Sequence, residues 1–376
     1  MISSSTRARR RVRRLGLVAA AAALALTAAA CGGSDSSSET TAADSETTAA
    51  DSETTAAESG GQEETEEASS ELTPVNYQLS WLKLTQFGGF FAADANGYYG
   101  EEGIQATFDA GGPNISAWQS VTSGRALLGD EDNTNTLVAI SKGEPLRIIG
   151  AIFQTSPFAI ISLADNPINS IEDVRGKTIA LPEQANAQVS ALIEAAGIPL
   201  SEVQLVPAGP DPSALASGQV DGYFGYATAQ AVALQAQGLE VETLYLEELG
   251  VPSYGNVIIT TQDNIDNNKD LLVRFMRASI MGYEWLNSNP DEGAQLVVDN
   301  YGPPDLVLET EQLTAAFQKD LIETESGVLL VDPAKMQAII DSLVEVGTIE
   351  APLDANEIVN TSILEEAYAG STSLLN

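Results

Sequence analysis

Apolar residues recur along the central part of the chain at two spacings, which predict strands and helices in turn. Residues 75–81 and 104–110 alternate between apolar and polar side chains, as a strand with one buried face does. Between them, the apolar residues of 88–99 recur at helical spacing until glycines interrupt the pattern at 100–103. Strands that alternate with helices of about ten residues are typical of layered α/β folds.

The same alternation continues through the next hundred residues and then gives way to helices. Short aliphatic runs predict further strands at 147–153, 158–163, 178–181, 203–206 and 220–223. Helical patterns predict helices at 115–123, 185–196, 212–217, 271–287, 291–301, 311–324 and 333–346. The chain is therefore predicted to be α/β first and helical towards its C-terminus.

Two turn-rich segments, 162–173 and 253–264, predict a division into two lobes. Each adjoins an extended aliphatic run, and the residues between them contain a complete βαβ set of their own. This arrangement favours an inserted lobe that two crossing strands join to the rest, with a cleft between the lobes. We expect residues 74–161 and 258–376 to form the first lobe and 162–257 the second.

The N-terminus has the pattern of an export signal. An arginine-rich start is followed by an apolar run at 15–30 and then by Cys31, which predicts a signal peptide over residues 1–30. The run is shorter than the ~20 residues of a spanning helix. Cys31 is the single cysteine, so we expect it to carry a lipid at the extracytoplasmic face of the cell membrane. A secreted protein with an incidental cysteine is the alternative.

Residues 31–73 are predicted to form a disordered acidic linker. Most of this segment consists of Ser, Thr, Ala, Asp and Glu, with a seven-residue repeat that contains no Leu, Ile or Val. Without apolar surface to bury, such a segment cannot offset the entropy that folding would cost.

The charge and the composition exclude several classes of function. The chain has 53 acidic and 17 basic residues, and a net charge of −36 disfavours binding to nucleic acids. It has no histidine and one cysteine, which excludes Ser-His-Asp triads and histidine-ligated zinc. We therefore expect no metal site and no cofactor.

Six short motifs follow one another in order from residue 86 onwards. They are QFGGFFAA at 86–93, NGYYGEEGI at 96–104, GGPN at 111–114, FQTSPFAIIS at 153–162, IEDVRGKTIA at 171–180 and SGQVDGY at 217–223. With these motifs, residues 75–350 resemble the type II solute-binding proteins of ABC importers. The resemblance is to the branch that binds thiamine pyrimidines, riboflavin, nitrate and alkanesulfonates.

This resemblance implies a two-lobed periplasmic-binding-protein fold of type II, with two crossing hinge strands and a helical C-terminal part. It also implies a monomeric, lipid-anchored receptor that closes on a small molecule and delivers it to an ABC permease with its ATPase. A related branch synthesises the thiamine pyrimidine with histidine and cysteine, which the body of this chain lacks, so we expect no enzyme. A surface lipoprotein that acts as a sensor or an adhesin remains an alternative.

The candidate ligand-binding residues are aromatic, hydroxyl or amide side chains near predicted strand ends, or glycine in a turn before a helix. They are Trp81, Phe87, Gly112, Asn114, Asn133, Thr155, Ser156, Tyr223, Tyr226, Tyr254 and Asn256. Core packing is the alternative for Trp81, Phe87 and Tyr223. The acidic residues 130–132 either enter the cleft or form a solvated loop.

Charge also narrows the choice of ligand. Before the second lobe, only Lys83 and Arg125 are candidates for holding an anion, because Lys142 and Arg147 flank a turn. We therefore expect a neutral or amino-bearing heteroaromatic ligand of the thiamine-pyrimidine or riboflavin type. Sulfonate, taurine or nitrate is the alternative.

Overall fold

The structure is a computed structural model and describes residues 72–112 and 114–375. The predicted signal peptide, Cys31 and the predicted linker up to residue 71 lie outside the described residues. Thr73, which we expected to end the linker, already belongs to the first strand. Among the helices of the described residues, none combines the length and the apolar character that a membrane span requires.

The strands of the described residues form two five-stranded sheets. They are β1 (Thr73–Gln78), β2 (Ile104–Asp109), β3 (Leu128–Glu131), β4 (Leu146–Phe153), β5 (Phe158–Leu163), β6 (Thr178–Leu181), β7 (Gln204–Pro207), β8 (Gly222–Tyr226), β9 (Val241–Tyr245) and β10 (Gly255–Thr261). The first sheet has the order β2-β1-β3-β10-β4 and the second the order β7-β6-β8-β5-β9. In the first sheet, β1 is parallel to β2 and β3, whereas β10 is antiparallel to β3 and β4.

The α-helices cover both sheets and dominate the C-terminal part, as the sequence predicts. They are α1 (Gly88–Ala95), α2 (Tyr98–Glu101), α3 (Ala117–Thr122), α4 (Asn133–Ser141), α5 (Asn186–Ala195), α6 (Ser213–Ala216), α7 (Ala227–Gln235), α8 (Gln262–Ser288), α9 (Pro290–Asn300), α10 (Leu308–Ile322), α11 (Pro333–Glu345), α12 (Ala355–Ile358) and α13 (Ser362–Tyr368). The helix predicted at 88–99 is divided, because Gly97 has a φ of 80° and ends the first piece.

The chain passes between the two sheets twice, which defines two lobes. It leaves the first sheet after β4 and returns to it at β10, so residues 158–245 build the second sheet without interruption. The predicted boundaries at 161 and 258 fall inside β5 and β10. The changes of sheet lie a few residues earlier, at 154–157 and 246–254. Both lobes also meet where α10 packs against α7.

Each lobe has its own buried apolar core. β4, β5 and β10 are buried along nearly their whole length, as aliphatic strands covered on both faces are. In the first lobe, the ring of Tyr77 from β1 packs against the rings of Phe90 from α1 and Phe275 from α8. These two helices approach each other closely at Gly89 and Gly282.

Candidate functional site

Polar side chains meet at one edge of the first sheet. β1 and β3 are parallel and end at the same edge, and the antiparallel β10 begins there. Ser80 follows β1, Asp130 lies near the end of β3, and Asn256 is the second residue of β10. In open α/β sheets, ligands bind outside the carboxyl ends of the parallel strands. The topology therefore places these three residues where a ligand is expected.

Asp130 is at the centre of this cluster. Its Oδ2 accepts hydrogen bonds from the hydroxyl of Ser80 at 2.5 Å and from Nδ2 of Asn256 at 2.8 Å. Its Oδ1 accepts a longer bond of 3.4 Å from the backbone N–H of Ser80. Asp130 is fully buried, and this burial raises the pKa of its carboxyl to about 7 although the hydrogen bonds oppose the shift. The site thus holds a carboxyl that titrates near neutral pH.

The second lobe contributes Tyr226, the last residue of β8. Its hydroxyl donates to Oδ1 of Asn256 at 2.9 Å, and its ring lies edge-on to Phe158 with centroids 5.1 Å apart. Burial is the main reason why the pKa of Tyr226 is raised, so the hydroxyl stays protonated. Ser80, Asp130, Asn256 and Tyr226 thus form one hydrogen-bonded group, which we call the inter-lobe network.

Exposed apolar side chains border this network in the first lobe. Trp81 and Leu82 directly follow Ser80 and are 40% and 41% exposed, and Ile115, beyond the end of β2, is 48% exposed. Single exposed apolar residues are common on protein surfaces, so this exposure marks a site only together with its position in the fold. Trp81 directly follows Ser80, so its accessible side chain starts from the edge where the network lies.

The turn after β2 packs directly on the chain around Trp81. The N–H of Gly111 donates to the carbonyl of Trp81 at 2.7 Å, and a Cβ on Gly111 would lie 2.3 Å from the backbone of Leu79. Gly112 is buried and has a φ of 152°, which favours glycine, whereas the side chain of Asn114 is exposed. This turn therefore supports the backbone that carries Trp81.

Two predicted residues belong to the crossing segments. The N–H of Ser156 donates to the carbonyl of Ser253 at 3.2 Å, which joins the two segments. The N–H of Thr155 instead faces the carbonyl of Leu321 at the end of α10, at 3.4 Å.

Tyr254 lies at the return to the first lobe and is held from three sides. Asn133 lies at the start of α4. In the amide orientation that satisfies both of its side-chain atoms, its nitrogen donates to the carbonyl of Tyr254 at 3.0 Å. The hydroxyl of Tyr254 accepts from the N–H of Asp332 at 2.9 Å, and the ammonium of Lys335 lies 4.9 Å from the ring centroid. Asn133 and Tyr254 therefore fix the return segment and lie beside the network.

Two of the aromatic candidates, Phe87 and Tyr223, pack in the core, which is the alternative that the sequence left open for them. Phe87 is completely buried in the core of the first lobe. Tyr223 packs in the core of the second lobe, and its hydroxyl donates to the carbonyl of Gly209 at 2.5 Å. Within β8, residues 223 and 226 lie on opposite faces of the sheet, which is why Tyr226 reaches the network and Tyr223 the core.

Ser80 is not among the predicted site residues, and the sequence leaves the role of the acidic residues open. Asp130 and Glu131 are buried members of β3, so the alternative of a solvated loop is wrong for them. Asp132 caps α4 by accepting from the N–H groups of Thr134 and Asn135. A run of acids shortly after the apolar residues 126–128 was the available signal.

A cavity of about 320 Å³ lies between α3 and α4, next to the site. Its lining includes Trp118, Glu131 and Val138. Among the described residues, no group of three or more Asp, Glu, His or Cys side chains is arranged to hold a metal ion.

Comparisons with known proteins agree with this architecture. The chain is 27% identical over 304 residues to the riboflavin-binding protein RibY of Chloroflexus aurantiacus, which covers 77% of this chain and 86% of RibY. It is 25% identical over 273 residues to the formylaminopyrimidine-binding protein of Halalkalibacterium halodurans, covering 71% and 83%.

A solved structure shares the fold. The putative sulfonate ABC transporter periplasmic sulfonate-binding protein SsuA of Methylobacillus flagellatus superposes with a TM-score of 0.59 at 16% identity, covering 80% of this chain and 94% of that one. The type II periplasmic-binding-protein fold that the sequence predicts is therefore confirmed. The model of the NMT1/THI5-like family matches residues 84–293, which is more than half of the 376 residues. The chain belongs to the NMT1/THI5-like family.

Proposed function

We propose that this protein is the extracytoplasmic solute-binding component of an ABC importer and takes a small heteroaromatic vitamin or vitamin precursor. The observation that carries the proposal is the exposed side chain of Trp81, which directly follows Ser80 of the inter-lobe network. A flat apolar surface next to a few fixed polar groups suits a heteroaromatic ring with polar edges. The names of the two relatives, one a riboflavin binder and one a formylaminopyrimidine binder, support this ligand class.

Charge supports a neutral or amino-bearing ligand over an anion. Asp130 and Glu131 are buried acids at this edge. In the segment that follows β1, the basic residue nearest to Trp81 in sequence is Lys83, two positions later. Arg125, the other predicted candidate, precedes β3 at the opposite edge and donates to the hydroxyl of Ser120 at 2.9 Å. When these carboxyls are ionised, a nitrate or the sulfonate group of an alkanesulfonate or of taurine would meet more negative than positive charge here.

The remaining parts of the proposal concern anchoring, partners and chemistry. Cys31 carries the lipid that holds the protein at the outer face of the cell membrane, and residues 32–72 link it to the folded body. The closed form engages a permease with its ATPase, and the protein acts as a monomer. It acts as a binding protein, since its body lacks the histidine and cysteine that the resemblance assigns to the pyrimidine-synthesising branch.

A thermal-shift panel tests the ligand class. Riboflavin, formylaminopyrimidine, hydroxymethylpyrimidine, taurine, an alkanesulfonate and nitrate are each added to the protein. A ligand at about 100 times its Kd adds roughly 2.7 kcal/mol to the free energy of unfolding, and Tm rises by a few degrees. We expect this rise with a flavin or a pyrimidine. A rise with the sulfonate, taurine or nitrate alone would instead establish an anion binder.

Trp81→Ala is expected to weaken binding of the active compound about tenfold, which corresponds to about 1.4 kcal/mol, because the ligand loses its stacking surface. Titration calorimetry measures the Kd. The Tm of the ligand-free variant should stay near that of the wild type, since the Trp81 side chain is 40% exposed.

Trp118→Ala is the matched control, because Trp118 lines the cavity between α3 and α4. It should leave the Kd unchanged. If affinity falls in Trp118→Ala and not in Trp81→Ala, the ligand occupies that cavity and the proposed site is wrong.

A further inference from the structure

A hydrogen bond between side chains joins the two lobes at the candidate site. The hydroxyl of Tyr226, on β8 of the second lobe, donates to Oδ1 of Asn256, on β10 of the first lobe, at 2.9 Å. Asn256 is only 8% exposed, so the bond is largely shielded from water. Both atoms belong to the protein, so the bond stabilises the arrangement in which the two lobes meet here without requiring a ligand.

The orientation of the Asn256 amide is determined by its neighbours. Nδ2 donates to Oδ2 of Asp130 and to the hydroxyl oxygen of Ser80, both at 2.8 Å. If the amide were turned over, its oxygen would face Oδ2 of Asp130, which already accepts from the hydroxyl of Ser80, and two acceptors would meet when the carboxyl is ionised. Asp130 and Ser80 thus leave Oδ1 as the atom that faces Tyr226.

The backbone of Asn256 also indicates a position under constraint. Its φ is 54°, in the left-handed region that residues other than glycine rarely adopt and that Asn tolerates best. Such conformations persist where the surrounding contacts over-determine them, and they concentrate at functional sites. Asn256 combines this conformation with side-chain bonds to both lobes.

We infer that Asn256 is a positioning residue for lobe closure: held by Asp130 and Ser80, it presents its carbonyl oxygen to Tyr226 and so maintains a closed population before ligand arrives. This inference deepens the proposed function and rests on it, because it assumes that the lobes open and close. It implies that part of the free-energy cost of closure is already offset in the ligand-free protein. Ligand then selects a state that already exists.

The test measures the distance between the lobes in the ligand-free protein. Cys31→Ser removes the single native thiol, and Ala110→Cys and Glu183→Cys place fluorophores at exposed positions after β2 and β6. Single-molecule energy transfer then gives the closed and open populations. In Tyr226→Phe, which keeps the ring and loses the hydroxyl, the closed-to-open ratio should fall roughly fivefold, as expected for one neutral hydrogen bond.

Tyr223→Phe is the matched control, because its hydroxyl bonds to Gly209 within the second lobe. It should leave the closed-to-open ratio unchanged. Asn256→Gly keeps the left-handed backbone and removes the amide, so it should open the protein as Tyr226→Phe does. The double variant should be no more open than either single variant, because both remove the same bond.

Three results would overturn the inference: a wild type that is fully open without ligand, a Tyr226→Phe variant as closed as the wild type, or additive effects in the double variant. These outcomes do not depend on a ligand. If no compound of the thermal-shift panel raised Tm while the distances between the lobes changed as expected, the result would count against the proposed ligand class only.

Discussion

Gly282→Ala is expected to lower the free energy of unfolding by about 3 kcal/mol or more, the range of severe overpacking in a core. A Cβ at residue 282, in α8, would lie 2.0 Å from the carbonyl oxygen of Gly89 in α1. Backbone cannot give way as a flexible side-chain end does, so the two helices would have to separate. Urea unfolding, followed by circular dichroism, measures the loss.

Gly100→Ala is the matched control for this prediction. Gly100 lies in the short helix α2, and a Cβ there would meet nothing within 4 Å. Because alanine favours the helix by up to about 1 kcal/mol over glycine, this variant should be as stable as the wild type or more so. If Gly282→Ala behaved like Gly100→Ala, the close packing of α1 on α8 would be wrong.

Asp130→Asn is expected to raise the free energy of unfolding at pH 8 by about 2 kcal/mol and to change it little near pH 4. In the unfolded chain, an aspartate ionises near pH 4, whereas burial raises the pKa of Asp130 to about 7 in the folded protein. Between these values the folded protein keeps a proton that the unfolded chain has lost. The stability of the wild type therefore falls as pH rises through this window and stays low above it.

The predicted increase in the free energy of unfolding is smaller than the pKa shift of Asp130 alone would give. A shift of three units corresponds to roughly 4 kcal/mol. In Asp130→Asn, the new amide would keep an acceptor for Ser80 and Asn256 but would place its nitrogen near the Ser80 N–H, which opposes part of the gain. Unfolding in urea from pH 4 to pH 8 measures the difference between variant and wild type at each pH.

Asp173→Asn is the control of opposite sign. Hydrogen bonds from the side chain of Ser170 and the N–H of Asn169 lower the pKa of Asp173. The stability that this carboxylate contributes is present at neutral pH and is lost in acid. The variant should therefore have a lower free energy of unfolding than the wild type at pH 7 and the same value at low pH. An Asp130→Asn variant with no pH-dependent gain would show that Asp130 is hydrated or paired differently.

Local patterns in the sequence predicted most of the fold. The strands at 158–163 and 178–181 match β5 and β6 residue for residue, since aliphatic runs between turns leave little choice. The helix predicted to start at 271 lies in α8, which begins at Gln262 and has a kink at Asn268. The first turns of α8 were not predicted, because residues 262–268 are mostly polar and lack the apolar spacing of a helix. β9 was not predicted, because Val241–Tyr245 contains acid and threonine and is defined by its pairing with β5.

The site was less predictable, because pairing between distant strands creates it. Nothing local indicates that Asp130 and Asn256 lie side by side, yet β10 pairs with β3 and aligns Ile258 with Asp130. Trp81 and Phe87 are both aromatic residues beyond β1, and only the packing of the turn shows that one is exposed and the other buried. Strand and turn propensities do not carry that information.

The position of β10 in the first sheet also sets an order of folding. The second lobe is continuous in sequence, so its sheet can form once residues 158–245 are present. In the first sheet, β10 lies between β3 and β4, and its pairing closes a loop of more than 100 residues, which is slow for entropic reasons. During synthesis the second lobe therefore folds first. Asn256 reaches Asp130 only when β10 docks, so the candidate site forms with the last strand of the first sheet.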